Sequence, residues 1–357
     1  MQSLKFLKNF KNLKILVTGS TGFKGSWLSF WLSQLGSKVV GVGLKPENEA
    51  KIFHNLALKQ KIKQYIVDIR KFNHLDRIIK IEKPDAIIHL AAQSIVSESY
   101  LNPIETFTTN IIGSANILQL TRKYNVNSLV YVTSDKCYLN LDGGKPFKEN
   151  DTLGGKDNYS SSKASAEILF NSFHNSYFLK DKNYLSAVTA RAGNVIGGGD
   201  FKQNRIVPDI IRSILNNKDL IIRNPNATRP WQHVLEPLRG YLLLTDKTLN
   251  QKLKKNTIPN WNFGPQPHNA KKVIKVANEI LYFLGKNKKI IIKQNIFEES
   301  KLLSLNIKKA KKELNWVPIL NFEDTMYLTA SWYKSFFNKE KLSSITEKQI
   351  EFYLSKK

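Results

Sequence analysis

The chain has 357 residues, enough for one large domain or two lobes with a substantial core. Glycine and proline number 18 and 12, which argues against disorder, and no apolar run reaches the ~18 residues that suggest a membrane span. The 55 Lys+Arg exceed the 29 Asp+Glu and leave +26, but the lysines run through the whole chain instead of gathering in one block, so neither nucleic acid nor a membrane is the expected partner.

The start, MQSLKFLKNFKNLK, has no long apolar core and no small-residue cleavage site, and reads as a lead-in rather than a signal peptide. KILVTG (14–19) is a short apolar run ending in glycine, a buried parallel strand. FKGSWLSFWLSQLG follows at helical spacing and stops at Gly36. SKVVGVGL (37–44), YIVDI (65–69) and PDAIIHLAA (84–92) are the next three strands. Glu105 to Tyr124 is helical, SLVYVTS (128–134) is a fifth strand, Tyr159 to Phe178 a long helix, and LSAVTARAGNV (185–195) a sixth strand. Strands alternating with helices predict an α/β fold, a Rossmann-type doubly wound parallel sheet with helices on both faces.

After residue 195 the pattern changes to a smaller mixed α/β lobe. GGGDF (197–201) is a loop; NRIVPDIIRSILNN, EPLRGYLLLTDKTL and NAKKVIKVANEILYFLG read as helices; LIIRN and WNFG read as strands. The expected division is a dinucleotide lobe over 1–195, joined again by a segment around 235–265, a substrate lobe over 196–340, and a lysine-rich, solvated tail over 341–357. The single cysteine, Cys137, excludes an intrachain disulfide and leaves the cytoplasm as the default location.

Three stretches carry chemistry. TGSTGFKG (18–25) places Gly19, Gly22 and Gly25 after a strand and at the opening of a helix. That context lets a tight turn bring backbone N–H groups and the helix N-terminus to a pyrophosphate. The acid that commonly reads the ribose at the end of the second strand is missing: residues 39–45 hold no carboxylate. NAD and NADP therefore stay open on physical grounds, and Lys45 is either a 2′-phosphate contact or a surface lysine. Asp68, after the third strand, either meets an adenine or caps a loop. VTSDKCY (132–138) ends the fifth strand, where open parallel sheets bind ligands. Ser134 or Thr133 can hydrogen-bond a reacting hydroxyl, Asp135 can serve as acid and Lys136 as base. YSSSK (159–163) sets Tyr159 and Lys163 one helical turn apart, so the ammonium is expected to favour the phenolate, a proton acceptor.

Together GxxGxxG, HLAAQ (89–93), Asn110, Ser134 and YxxxK resemble the extended short-chain dehydrogenase/reductases that act on nucleotide sugars. TSDKCY, ARAGNVIGGGD and RNPNATRPWQHVLEPLRGYLLL narrow the resemblance to the CDP-glucose 4,6-dehydratase group. Related dehydratases carry an Asp-Glu pair where this chain has Asp135-Lys136. The resemblance implies NAD, held by Gly19, Thr21, Gly22, Phe23, Lys24, Gly25, Asp68, Ile69, Leu90, Ala91, Ala92, Asn110, Tyr159 and Lys163. It implies Ser134, Asp135, Lys136, Tyr159 and Lys163 as catalytic residues, with Asp135 and Lys136 expected to serve elimination more than oxidation. Gln93, Asn194, Arg205, Arg229 and His233 are the implied contacts to CDP-glucose, with Trp231 either lining the pocket or packing in the core. The implied product is a 4-keto-6-deoxy sugar nucleotide plus water. No metal is expected, and a homo-oligomer is. Another nucleotide-sugar 4,6-dehydratase or a 4-epimerase of the same group, or a non-catalytic protein that binds NAD or a sugar nucleotide, are the competing readings.

Overall fold

The computed structural model describes residues 4–46, 52–141, 144–180, 186–250, 258–265, 270–293 and 303–356. Strands β1 Lys14–Thr18, β2 Lys38–Gly43, β3 Lys63–Ile66, β4 Ala86–His89, β5 Ser128–Val132 and β6 Ser186–Ala192 alternate with helices. Four short strands follow, β7 Val195–Ile196, β8 Leu220–Ile222, β9 Thr228–Pro230 and β10 Gln232–His233; then come β11 Asn260–Phe263, β12 Ala270–Lys272 and β13 Ile290–Ile292. Seven strands form one sheet in the order β11-β6-β5-β4-β1-β2-β3, and every pair in it is parallel. This is the Rossmann-type doubly wound sheet that the strand–helix alternation predicts.

The period of two along each strand explains why helices cover both faces. Ile15, Val17, Ile88, Val130 and Val132 point into one core, with Trp27 and Trp31 of the helix Phe23–Gln34 and Leu238 and Leu242 of the helix Leu235–Asn250. Leu16, Ile87, Leu129 and Tyr131 point into the other, with Leu75, Ile117 and Phe170 from the helices Phe72–Glu82, Ser114–Lys123 and Asn158–Phe173. The strand order reverses between β1 and β4, so their C-terminal ends frame a crevice. Beyond β6, the pairs β7–β10, β8–β13 and β9–β12 build the mixed second region with the helices Ile206–Leu215, Val273–Leu284 and Phe322–Phe337. Among the described residues no helix is long and apolar enough to cross a membrane.

Some elements differ from the sequence reading. The third strand spans Lys63–Ile66 and leaves Asp68 in the following turn. The long helix after residue 103 contains a π turn, Thr108–Gly113. Lys271 and Lys272 belong to β12, which pairs with β9, so the next helix starts only at Val273. The tail expected to be solvated is a helix, Leu342–Ser355, that buries Leu342, Thr346, Ile350 and Tyr353. Those positions recur at helical spacing, an apolar stripe that the lysine content obscured. The Tyr353 hydroxyl donates to Glu236 at 2.7 Å and accepts from Arg239 at 2.8 Å, which pins this helix to the core.

Candidate active site

The crevice is built first by the turn after β1. Gly19 has φ +71, and a Cβ there would stand 2.9 Å from the Ala91 nitrogen and 3.1 Å from the Leu90 carbonyl carbon. Only glycine both adopts that backbone and lets the β4 loop cross this close. Leu90 and Ala91 donate their N–H groups to Thr18 Oγ1 at 3.2 and 3.1 Å, so the two loops are one unit. Gly22 caps the helix Phe23–Gln34 without a side-chain hydrogen bond, and Gly25 packs against the Gly19 carbonyl. A helix start left without a side-chain acceptor, beside a glycine turn, suits a phosphate.

The two glycines of β2 stand under neighbouring side chains. A Cβ on Gly43, at the end of β2, would lie 2.6 Å from Thr21 Oγ1, and one on Gly41 would strike Gln64 and Ser20. The Ser20 hydroxyl donates to Gln64 Oε1 at 2.8 Å and fills that space. Asp68 is a loop cap: it accepts from the Arg70 N–H at 2.8 Å and from the Arg70 guanidinium at 2.6 Å. Burial works against its charge, but Arg70 overrides it and holds the carboxyl below the ordinary carboxylate range. Ile69 is buried against Gly113. Lys45 is exposed.

The β4 loop is fastened from beneath. His89 Nδ1 lies 2.6 Å from Thr18 Oγ1 and Nε2 lies 2.9 Å from Ser114 Oγ. Burial, then the Lys163 charge, pushes His89 down to about 3, so it is neutral. Asn110, in the π turn, accepts from the Gln93 N–H at 2.8 Å and donates to the Gln93 carbonyl at 3.0 Å and to Ser162 Oγ at 2.9 Å. It thereby locks the loop to the Tyr159 helix. The Gln93 side chain is hydrogen-bonded to Ile95 in its own loop and to Thr106 of the helix Pro103–Phe107.

Asp157 caps the helix Asn158–Phe173, accepting from Ser160 N–H at 2.8 Å, and that start presents Tyr159 and Lys163 toward the end of β5. Both are buried, with the Lys163 ammonium 6.0 Å from the Tyr159 ring centroid. The spacing does bring them together, while burial opposes the phenolate that it suggested. Burial pushes the Tyr159 phenol up to about 12, opposed by a side-chain hydrogen bond with Ser134 and by Arg205 and reinforced by Asp135. Lys163 is pushed down to about 8 by burial and then by the charge of Lys24. Ser134 donates to Asp135 Oδ1 at 3.0 Å and accepts from the Lys136 N–H at 3.2 Å. Thr133 donates instead to Glu167, away from the reacting group. Asp135 is buried, and burial raises its pKa against the pull of Lys136, Ser134, Arg229 and Lys24. Its carboxylate rests on Gly193, where any Cβ would overlap it. Lys24 is itself pushed down to about 8, first by burial and then by Arg205.

The second region closes over this cluster. Arg205 pairs with Asp200 at 2.8 Å and donates to Ser94 Oγ at 2.9 Å, bridging the GGGDF loop to the β4 loop. Asn194 turns the chain after β6 at φ +48. Arg229 is buried within electrostatic reach of Asp135. One expected pocket residue lies elsewhere, and Trp231 takes the packing alternative. His233 is fully enclosed, edge-on to Trp27 at 5.9 Å, and burial holds it at about 3; it packs in the core and does not line the crevice. Trp231 donates to the Lys271 carbonyl at 2.9 Å and is likewise core. Sequence reading missed Gly193, Ser94 and Asp200. Only the glycine in ARAGN hinted at a close approach.

A family model described as GDP-mannose 4,6 dehydratase matches residues 16–329. The chain belongs to that dehydratase family. A CDP-glucose 4,6-dehydratase of Salmonella typhimurium is 38% identical over 355 residues, 98% of each chain. The dTDP-glucose 4,6-dehydratase of Bacillus anthracis, solved in complex with NAD, shares 25% identity at TM-score 0.76, over 93% of this chain and 99% of that one. An epimerase from Methanothermobacter thermautotrophicus shares 24% identity at TM-score 0.80, over 94% and 96%, a likeness of fold alone. The nucleotide-sugar dehydratase resemblance drawn from the motifs agrees with the family match.

Proposed function

We propose that this dehydratase-family chain converts CDP-glucose to CDP-4-keto-6-deoxyglucose and water, working with NAD. The observation that carries the reading is the buried Asp135 carboxyl beside Ser134 and Tyr159. Elimination needs an acid at the site of oxidation, whereas a 4-epimerase does not. The match across 98% of both chains to a CDP-glucose enzyme supports cytidine as the base. The retained Tyr159 and Lys163 speak against a non-catalytic binding protein.

The glycine turn and open helix start fit the pyrophosphate of a dinucleotide, and Lys163 and Tyr159 fit its nicotinamide ribose. When bound, NAD supplies a hydride acceptor for sugar carbon 4 and a donor for carbon 6. The residues of this chain do the proton work. Tyr159 takes the proton of the 4-hydroxyl. The resulting ketone acidifies carbon 5, and Lys136 removes that proton. Asp135 protonates the 6-hydroxyl, which leaves as water, and Lys136 gives its proton back to carbon 5 as carbon 6 is reduced. Arg205 and Arg229, beside Tyr159 and Asp135, suit the sugar diphosphate. Leu101, Ile104, Ile112 and Ile168 are exposed apolar residues on adjoining helices, and we assign them to contact with a second copy of the chain. A cytoplasmic setting goes with a diffusible sugar nucleotide.

Purified protein is incubated with CDP-, dTDP-, GDP- and UDP-hexoses, and products are read by mass. Loss of one water from CDP-glucose without net consumption of NAD is expected. Faster turnover of dTDP-glucose or GDP-mannose would overturn the choice of base. Protein stripped of cofactor and reloaded tests NAD against NADP: recovery with NADP alone would reverse that assignment.

A further inference from the structure

Asp135 and Lys136 ride on one 3₁₀ turn, Asp135–Cys137, whose own hydrogen bonds are long. The Cys137 N–H reaches the Ser134 carbonyl at 3.3 Å and the Tyr138 N–H reaches the Asp135 carbonyl at 3.5 Å. Such a turn has to be held from outside. On entry the Thr133 N–H donates to the Ala190 carbonyl at 3.0 Å. On exit the next residue is Tyr138, fully buried, with both its ring and its hydroxyl tied down. The ring stacks on Phe147 at 4.9 Å, nearly parallel. The hydroxyl donates to Asn262 Oδ1 at 2.7 Å and accepts from Arg191 Nη1 at 2.7 Å. Both partners are themselves fixed. The Asn262 amide nitrogen donates to the Phe147 carbonyl at 2.9 Å, which leaves its oxygen to face the phenol. Arg191 pairs at 2.7 Å with Glu167, one turn beyond Lys163 on the Tyr159 helix.

We infer that Tyr138 is a positioning residue for elimination: the line Glu167–Arg191–Tyr138 is a strut that fixes the Asp135–Lys136 turn against the helix carrying Tyr159 and Lys163. The inference rests on the dehydratase reading, in which Asp135 and Lys136 serve elimination, and deepens it. Oxidation at carbon 4 draws on the helix pair, and elimination across carbons 5 and 6 draws on the turn. One sugar has to meet both sets without leaving the crevice, so the spacing between helix and turn must be held. Tyr138 is enclosed and acts only through the turn it follows. Phe147 carries the same hold to the second region, donating its N–H to the Ser304 carbonyl at 2.9 Å and accepting from the Asn306 N–H at 2.8 Å. The chain after Tyr138 is closed by the Leu139 N–H to the Thr152 carbonyl and the Gly154 N–H to the Cys137 carbonyl, each at 2.9 Å. With the main chain held there, the phenol decides the angle at which the turn leaves β5.

The test is Tyr138→Phe in full-length, NAD-loaded enzyme, which removes the hydroxyl and keeps the stacked ring. Mixed with CDP-glucose in a single turnover, the variant should form reduced nicotinamide at close to the wild-type rate. Product should then form ~10² slower, the cost of a ~1 Å misplacement, so that reduced nicotinamide accumulates. Exchange of the carbon 5 proton in deuterated water should fall with the product. In substrate-free enzyme, amide hydrogen exchange read by mass spectrometry should quicken from Asp135 to Tyr138 and stay as in wild type along the Tyr159 helix. Phe147→Leu should give a milder form of the same signature, and Phe147→Tyr, which keeps a flat ring, should restore the wild-type partition. That half-buried pair carries the test if Tyr138→Phe does not fold. Equal slowing of oxidation and elimination, an unchanged partition between them, or amide exchange quickened throughout the chain each overturns the positioning role. If wild type dehydrates CDP-glucose while the variants keep its partition, the positioning role alone falls. If wild type dehydrates no nucleotide hexose, the dehydratase reading falls with it.

Discussion

Two buried clusters of charge lie one turn apart on the same helix, and they behave in opposite ways. Around Glu167 the carboxylate has four donors, all from this chain. Its carboxylate accepts from Arg191 at 2.7 Å, Asn260 at 3.0 Å, Thr189 at 3.1 Å and Thr133, and Arg191 goes on to Tyr138 at 2.7 Å. That cluster stitches the Tyr159 helix to β5, β6 and β11. Around Lys163, one turn earlier, cations gather: Lys24 lies near enough to push Lys163 down, and Arg205 near enough to push Lys24 down. A carboxylate and a phenol there share one serine hydroxyl. Burial of charge alone does not mark function. What distinguishes the two is that the Glu167 carboxylate is met by a guanidinium and three neutral donors of this chain, whereas around Lys163 like charges stand close together.

Removing the key group from each side should break the comparison differently. Tyr159→Phe is expected to lower turnover ~10² to 10⁴-fold with an unchanged unfolding midpoint, since only the phenolic oxygen is lost. Near-normal turnover would mean that the YxxxK pair is structural. Glu167→Gln should do the reverse. It leaves the Arg191 guanidinium buried without its counter-ion, at a cost of ~3–5 kcal/mol in denaturant unfolding. Reduced-nicotinamide formation per folded molecule should change little. A stability loss confined to a few tenths of a kcal/mol would show that the network is dispensable.

A third substitution touches the reactive side without removing any of its groups. Gly193→Ala sets a methyl group where the Asp135 carboxylate rests, so the acid must move. A shift of ~1 Å in a catalytic group can cost ~10² in rate. Product formation should fall by about that factor while the far-ultraviolet circular dichroism stays as in wild type. Unchanged kcat would separate Asp135 from the chemistry.

How much of this could be read from the sequence follows the same divide. Local patterns were legible: the GxxGxxG turn, because its spacing and its strand–helix context lie in eight consecutive residues, and the Tyr159–Lys163 pair, because a helix turn is local. Non-local consequences were not. Nothing in KVVGVG announces that Gly41 and Gly43 are bare because Gln64, Ser20 and Thr21 stand over them. The proximity of Lys163 suggested a phenolate, which is opposed by burial, and burial depends on the whole fold. His233 stood in a distinctive run, RPWQHVLEP, yet packs on Trp27; a motif records that a residue is constrained without saying by what. The C-terminal helix was hidden by its lysines, although its buried stripe has ordinary helical spacing.

The smallest expected effect draws the two regions together through their histidines. His89 underpins the reactive crevice, with both ring nitrogens in hydrogen-bonding range of Thr18 and Ser114; His233 sits in the packing core against Trp27. Burial lowers both to about 3, with Lys163 adding to the effect at His89. An unfolded histidine titrates near ~6.5, so between that value and about 3 the unfolded chain binds protons that the folded chain refuses. The stability each contributes is therefore complete above pH ~6.5 and is lost as pH falls below it, at ~1.4 kcal/mol per pH unit. From pH 7 to pH 5 each should cost ~2 kcal/mol in urea unfolding. His89→Asn and His233→Asn should each flatten the dependence of unfolding free energy on pH by about one proton, by the same amount, although only one of them borders the chemistry. An unaltered slope in either variant would mean that its histidine is charged or solvent-reached in the native state. Equal slopes would show that acid sensitivity of the fold comes from enclosure in both regions alike, and that reactivity has to be sought in the turnover pH profile, where His233→Asn should leave the profile of the folded enzyme in place.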